Sequence, residues 1–224
     1  MTDIVLVHGG NMSTRTWNLL TTGDPVVTED GTMGARYWEG TTATLSATHH
    51  RVFAPTLTDE LVGSLKGHIE EVIAVIREYN LHHVMLVGHS YGGMVITGVA
   101  AAIADNISHL VYLDAAVPEP GDSLYSLLKQ GLRSSEEQGL IPDPAPPYVE
   151  PLDFDPQIIQ SIPKTYIFCT KSEYQAVTGI ARKKIEASPD GWTFVELSSS
   201  HVPMADQPEE LYRLLIGIAS VIDV

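Results

Sequence analysis

Short uninterrupted apolar runs recur along the chain, separated by longer stretches in which apolar residues return at helical spacing. Six runs predict strands: Ile4-Val5-Leu6-Val7, Arg51-Val52-Phe53-Ala54, Val84-Met85-Leu86-Val87, Leu110-Val111-Tyr112-Leu113, Tyr166-Ile167-Phe168-Cys169 and the stretch from Trp192 to Leu197. Several lack the in–out alternation of a half-wetted sheet, so both of their faces are expected to be covered. Between them, Ser64 to Tyr79 places Leu65, Ile69, Val72, Ile73 and Ile76 on one helical face and Glu70, Glu71, Arg77 and Glu78 on the other. Tyr91 to Ala104 is small and apolar almost all round, which predicts a buried helix. Tyr174 to Ala187 and Pro208 to Val221 predict outer helices, the last with Asp206 as its N-cap and Glu209 and Glu210 in its first turn. Strands alternating with helices imply right-handed crossovers. The expected fold is therefore α/β, with an open, doubly wound, mostly parallel six-stranded sheet.

Two stretches interrupt the alternation. Residues 21–36 form a polar, glycine-containing insertion. Residues 118–163 form a longer excursion with Pro142, Pro144, Pro146, Pro147, Pro151 and Pro156 in its second half. Proline fixes φ and removes a donor, so that half is expected to be an extended small lid. The whole chain, 1–224, reads as one domain.

Composition narrows the function. Apolar residues make up 44% and charged residues 18% of the 224, a globular balance with enough length for a sizeable core. The net charge of −15 repels phosphate backbones and anionic headgroups, so neither nucleic acid nor a membrane is an expected partner. The lone cysteine, Cys169, lies in an apolar run and reads as a core residue. Ile4–Val7 is too short for a signal peptide's apolar region, and a cytoplasmic location is expected.

The chemistry centres on Gly88-His89-Ser90-Tyr91-Gly92-Gly93. This is G-x-S-x-G, directly after a predicted strand and directly before a predicted helix, the context that the motif requires. A sharp strand-to-helix turn would expose the Ser90 hydroxyl where free N–H groups favour negative charge. Val7-His8-Gly9-Gly10 closes the first strand. Its Gly10 N–H and that of Tyr91 are the candidate oxyanion donors. If strand one lies between strands two and three, the two motifs face each other across the point where strand order reverses. His201 follows the last predicted strand and is the candidate base. The other eight histidines sit in less telling places, and no metal-binding spacing is present.

With Leu6-Val7-His8-Gly9-Gly10 and Trp17, the elbow around Ser90, Ile167-Phe168-Cys169-Thr170-Lys171 and His201-Val202-Pro203-Met204, the sequence resembles the α/β-hydrolase superfamily over essentially its whole length. It is similar to the compact branch that includes plant methylesterases and hydroxynitrile lyases. Many relatives place the triad aspartate just after Cys-Thr-Lys, where this chain has Ser172. Glu173 is adjacent. The alternative is Asp114, at the end of the fourth strand, where certain dehalogenases carry their acid. An aspartate there would be costly to bury unpaired, so Asp114 is preferred to Glu173.

The resemblance implies hydrolysis of a small-molecule ester through an acyl-enzyme by Ser90, His201 and Asp114, with no cofactor and no metal. A homodimer is left open. Two competing readings stand beside it. One is a hydroxynitrile-lyase-like C–C lyase, disfavoured because Val202 rather than a lysine follows His201. The other is a non-catalytic small-ligand receptor on the same fold.

Overall fold

The computed structural model describes residues 2–10, 12–22, 24–132 and 144–222. Six strands, β1 (Asp3–Val7), β2 (Arg51–Phe53), β3 (Val84–His89), β4 (Ile107–Leu113), β5 (Lys164–Cys169) and β6 (Trp192–Leu197), form one sheet in the order β2-β1-β3-β4-β5-β6. Every neighbouring pair is parallel, with Val5 opposite Phe53 on one side and Leu86 on the other. The strand order reverses between β1 and β3. The carboxyl ends of those two strands therefore flank the crevice of an open parallel sheet.

The continuous apolar runs have a simple physical cause. Side chains alternate across a strand, so consecutive apolar residues enter opposite layers. Val5, Val7, Leu86, Tyr112, Tyr166 and Phe168 pack in one layer, which also takes Val72 and Ile76 of α1 (Leu65–Glu78) and Val95 and Val99 of α2 (Gly92–Ala102). Ile4, Leu6, Met85, Val87, Leu113 and Ile167 enter the other layer, with Leu45, Leu211 and Leu215. α2 is buried from Gly92 to Ala100, in keeping with its apolar circumference.

The elements outside the sheet depart from expectation in instructive places. Residues 21–36 do not stand alone. Thr14 N–H donates to Gly31 O (2.9 Å) and Met33 N–H to Met12 O (2.7 Å), folding the segment back beside the helix Thr14–Leu20. It runs into a 3₁₀ turn, Gly34–Trp38, that buries Tyr37 and Trp38.

The β4–β5 connection carries a helix, Leu124–Gly131, opened by a Ser123/Ser126 capping box. Part of the proline-rich half is helical rather than extended. Pro146 opens the single turn Pro146–Val149, where a fixed φ and a missing N–H are no handicap. Residues 133–143, with Pro142, lie outside the described residues. An antiparallel bridge between Asp122 and Leu152 draws the two ends of this connection together.

Asp206 does not cap the last helix, Pro208–Ile222, as expected. It ends a separate turn, Pro203–Asp206, and Leu211 N–H bonds to Gln207 O (3.1 Å) instead. The Asp206 carboxylate turns back to accept from the Ser199 hydroxyl and from Ser200 N–H (2.8 Å).

Candidate active site

The turn from β3 to α2 occupies only Ser90 and Tyr91. Ser90 has φ +57°, in the left-handed region that a side chain adopts at a cost. Three main-chain bonds hold it there. Its N–H donates to Leu113 O (3.3 Å), and its carbonyl accepts from Gly93 N–H and Ala116 N–H (both 3.1 Å). A β-carbon on Gly88 would lie 2.6 Å from Gly92 O, and one on Gly9 would lie 2.7 Å from the Ser90 β-carbon. Both are closer than atoms can pack, so glycine is required for the elbow to close and for the β1 loop to approach it.

Ser90 Oγ is 2.9 Å from His201 Nε2, and His201 Nδ1 is 2.7 Å from Asp114 Oδ2. A carboxylate only accepts, so Nδ1–H is the donor. The neutral ring then presents a lone pair at Nε2 to the Ser90 hydroxyl. Asp114 is fully buried at the end of β4, with φ +43°; its Oδ1 accepts from Cys169 N–H (3.2 Å). Glu173 meets the backbone N–H of His201, at 3.5 Å, rather than the ring. Of the two acid candidates, Asp114 is the one beside the imidazole.

Tyr91 is the residue before α2, so its N–H stands at the amino end of that eleven-residue helix. Gly10 lies at the end of the facing β1 loop. His8 anchors that loop: Nδ1–H donates to Gly9 O (2.8 Å), and Nε2 accepts from Leu57 N–H (2.9 Å). Burial holds the His8 imidazole below its ordinary pKa, despite the opposing effect of the bond to Gly9.

Beside Gly10 stands Tyr148, from the turn Pro146–Val149. Its hydroxyl would touch a β-carbon on Gly10 at 2.7 Å, and its ring packs edge-on to Tyr91 at 5.0 Å. The same hydroxyl donates to Glu60. A small cleft is lined by His8, Gly9, Leu57, Glu60, His68, Tyr91 and Tyr148.

Sequence reasoning did not single out Tyr148, Glu60, Tyr37 or His89. His89 was visible inside the elbow, but its partners come from segments distant in the chain. Its Nε2–H donates to His201 O (2.7 Å), and its Nδ1 faces the Tyr37 hydroxyl at 3.2 Å. Burial, then the neighbouring His201, keeps the His89 ring well below the usual imidazole pKa. Tyr37 lies one residue past the predicted insertion. Met94 and Met204 are buried, and Trp17 stacks on Tyr37.

Among the described residues, no group of three or more His, Cys, Asp or Glu side chains could hold a metal ion. No helix among them is long and apolar enough to cross a membrane.

A parallel sheet whose third strand turns at a strained serine, with an imidazole brought in after the last strand, defines the class of α/β hydrolases. A model of the alpha/beta hydrolase family matches residues 4–214, and the chain belongs to that family.

Across 140 residues the chain is 43% identical to a carbendazim hydrolyzing esterase from Nocardioides sp. (strain SG-4G). The match covers 59% of this chain and 49% of that protein, so it spans about half the relative's length. Solved structures of other proteins share the fold. A pyrethroid hydrolase from Sphingobium faniae is 20% identical, with a TM-score of 0.71 over 98% of this chain and 97% of the other. A methylesterase from Arabidopsis is 20% identical, with a TM-score of 0.68 over 99% of this chain and 100% of the other.

Proposed function

We propose that this chain hydrolyses small carboxylic esters through an acyl-enzyme, with Ser90 as nucleophile, His201 as general base and Asp114 as the carboxylate that orients it. The observation that carries the reading is the continuous hydrogen-bond chain from Ser90 Oγ to His201 Nε2 (2.9 Å) and from His201 Nδ1 to Asp114 (2.7 Å).

His201 Nε2 takes the Ser90 proton as Oγ attacks the ester carbonyl. The oxyanion is received by the N–H groups of Gly10 and Tyr91. The imidazolium, stabilised by Asp114, returns its proton to the leaving alcohol, and an acyl-Ser90 ester remains. Water, deprotonated by the same Nε2, then attacks that ester. The acid departs and the Ser90 proton is restored. Every proton moves through one nitrogen, so no cofactor enters the scheme. On this reading, Tyr148 and the described residues around it in the 118–163 connection act as a cap beside Gly10, and Tyr37 follows the 21–36 insertion. The esterase and hydrolase names of the relatives favour the same chemistry.

Steady-state turnover of p-nitrophenyl acetate tests the proposal. Hydrolysis is expected in the wild type and lost in Ser90→Ala. Cyanohydrin cleavage without ester turnover, or binding without turnover of any ester, would overturn it.

A further inference from the structure

A second chain of hydrogen bonds runs behind the first, and its donor–acceptor sense is fully determined. The His201 carbonyl can only accept, so His89 Nε2 carries the proton that it receives (2.7 Å). The neutral His89 ring then has a lone pair at Nδ1, which accepts from the Tyr37 hydroxyl (3.2 Å). The Tyr37 oxygen in turn accepts from Gly9 N–H. Tyr37 and His89 are each 3% exposed, so water does not compete for these bonds. The rings are fixed as well. His89 lies 4.7 Å from the His201 ring, while Tyr37 and Trp38 pack edge-on or tilted against His89 and each other. The two ends of this chain are the loop that carries His201 and the loop that carries Gly10.

We propose that Tyr37 and His89 form a positioning brace that sets the distance between the general base and the oxyanion donors. It rests on the reading of Ser90, His201 and Gly10 given above. Neither residue touches the reacting atoms. The brace acts on the His201 main chain and on Gly9, and through them on where Nε2 and the Gly10 N–H stand relative to Ser90. Displacement of about 1 Å in such a geometry costs on the order of 100-fold in rate. The expected loss therefore falls in kcat.

The test compares Tyr37→Phe, His89→Phe, the double variant and His89→Gln with wild type in p-nitrophenyl acetate hydrolysis. The downfield NMR resonance of the His201 Nδ1 proton is recorded for each. Each Phe variant is expected to lower kcat by about 10- to 100-fold with little change in KM. The double variant should lose about as much as one single, because both cut the same chain. The His201 proton resonance should shift or broaden. His89→Gln keeps a donor near the Nε2 position and should recover part of the lost rate. If His89→Phe fails to fold, Tyr37→Phe and His89→Gln carry the comparison.

Folded Phe variants with wild-type kcat and an unmoved His201 proton would overturn the brace. Turnover that persists in Ser90→Ala would instead remove the reading of Ser90 as nucleophile, and the brace with it.

Discussion

Asp114 and His201 meet at 2.7 Å across 87 positions of sequence, with the carboxylate fully buried and the ring partly exposed. Asp114 is fixed from both sides, by Cys169 N–H on its Oδ1 and by its own N–H on Ile167 O (2.8 Å). The β5 end thus locates this carboxylate, although Asp114 itself directly follows β4. Asp114→Asn should keep the shape but favour the wrong imidazole tautomer. It is expected to lower kcat by about 10⁴-fold. Glu173→Gln, which alters a 3.5 Å contact to the His201 main chain, should cost far less. Kinetics of the two variants with one ester make the comparison.

Gly9→Ala places a methyl group where it would lie 2.7 Å from the Ser90 β-carbon. The β1 loop must then retreat from the elbow, taking Gly10 with it. Activity is expected to fall by about 100-fold, and stability by about 1–3 kcal/mol from overpacking. Esterase assays and denaturant titration measure the two effects separately.

The Tyr148 hydroxyl crowds Gly10, where an added β-carbon would meet it at 2.7 Å. Tyr148→Ala should relieve crowding against larger acyl groups. The ratio of kcat/KM for p-nitrophenyl butyrate to that for the acetate is expected to rise by about tenfold, the scale of a methylene-sized change in a pocket. Tyr148→Phe keeps the ring and should change the ratio much less.

Stability should fall on acidification. His8 and His89 are held below the ordinary imidazole pKa in the folded chain, chiefly by burial. The unfolded chain therefore binds more protons than the folded one below about pH 6.5. Their contribution is fully present above that pH and is lost as pH falls toward the folded-state values. The slope is at most about 1.4 kcal/mol per pH unit for each ring. Denaturant midpoints between pH 7.5 and 5 should show the decline, and His89→Gln should make it shallower.

The strands were legible because β1, β3, β4 and β5 are covered on both faces, which leaves runs such as Ile4–Val7 with no polar position to blur them. Ser90 was legible because the elbow demands glycines at fixed offsets. Asp114 was legible because an acid at the end of an apolar strand needs a partner. Tyr37, Tyr148 and Glu60 gave no such signal. Their contacts arise where separate loops meet, and neither periodicity nor spacing records them. Asp206 misled for a related reason: a residue suited to capping the next helix bonds instead to Ser199 and Ser200, upstream.

The central claim is that the Ser90 hydroxyl is activated by His201. Treatment with a fluorophosphonate followed by peptide mass mapping tests it most directly. The account predicts a single adduct on Ser90, formed rapidly in wild type and not detectably in His201→Ala. An adduct on another residue, or labelling of Ser90 at an equal rate without the imidazole, would contradict it.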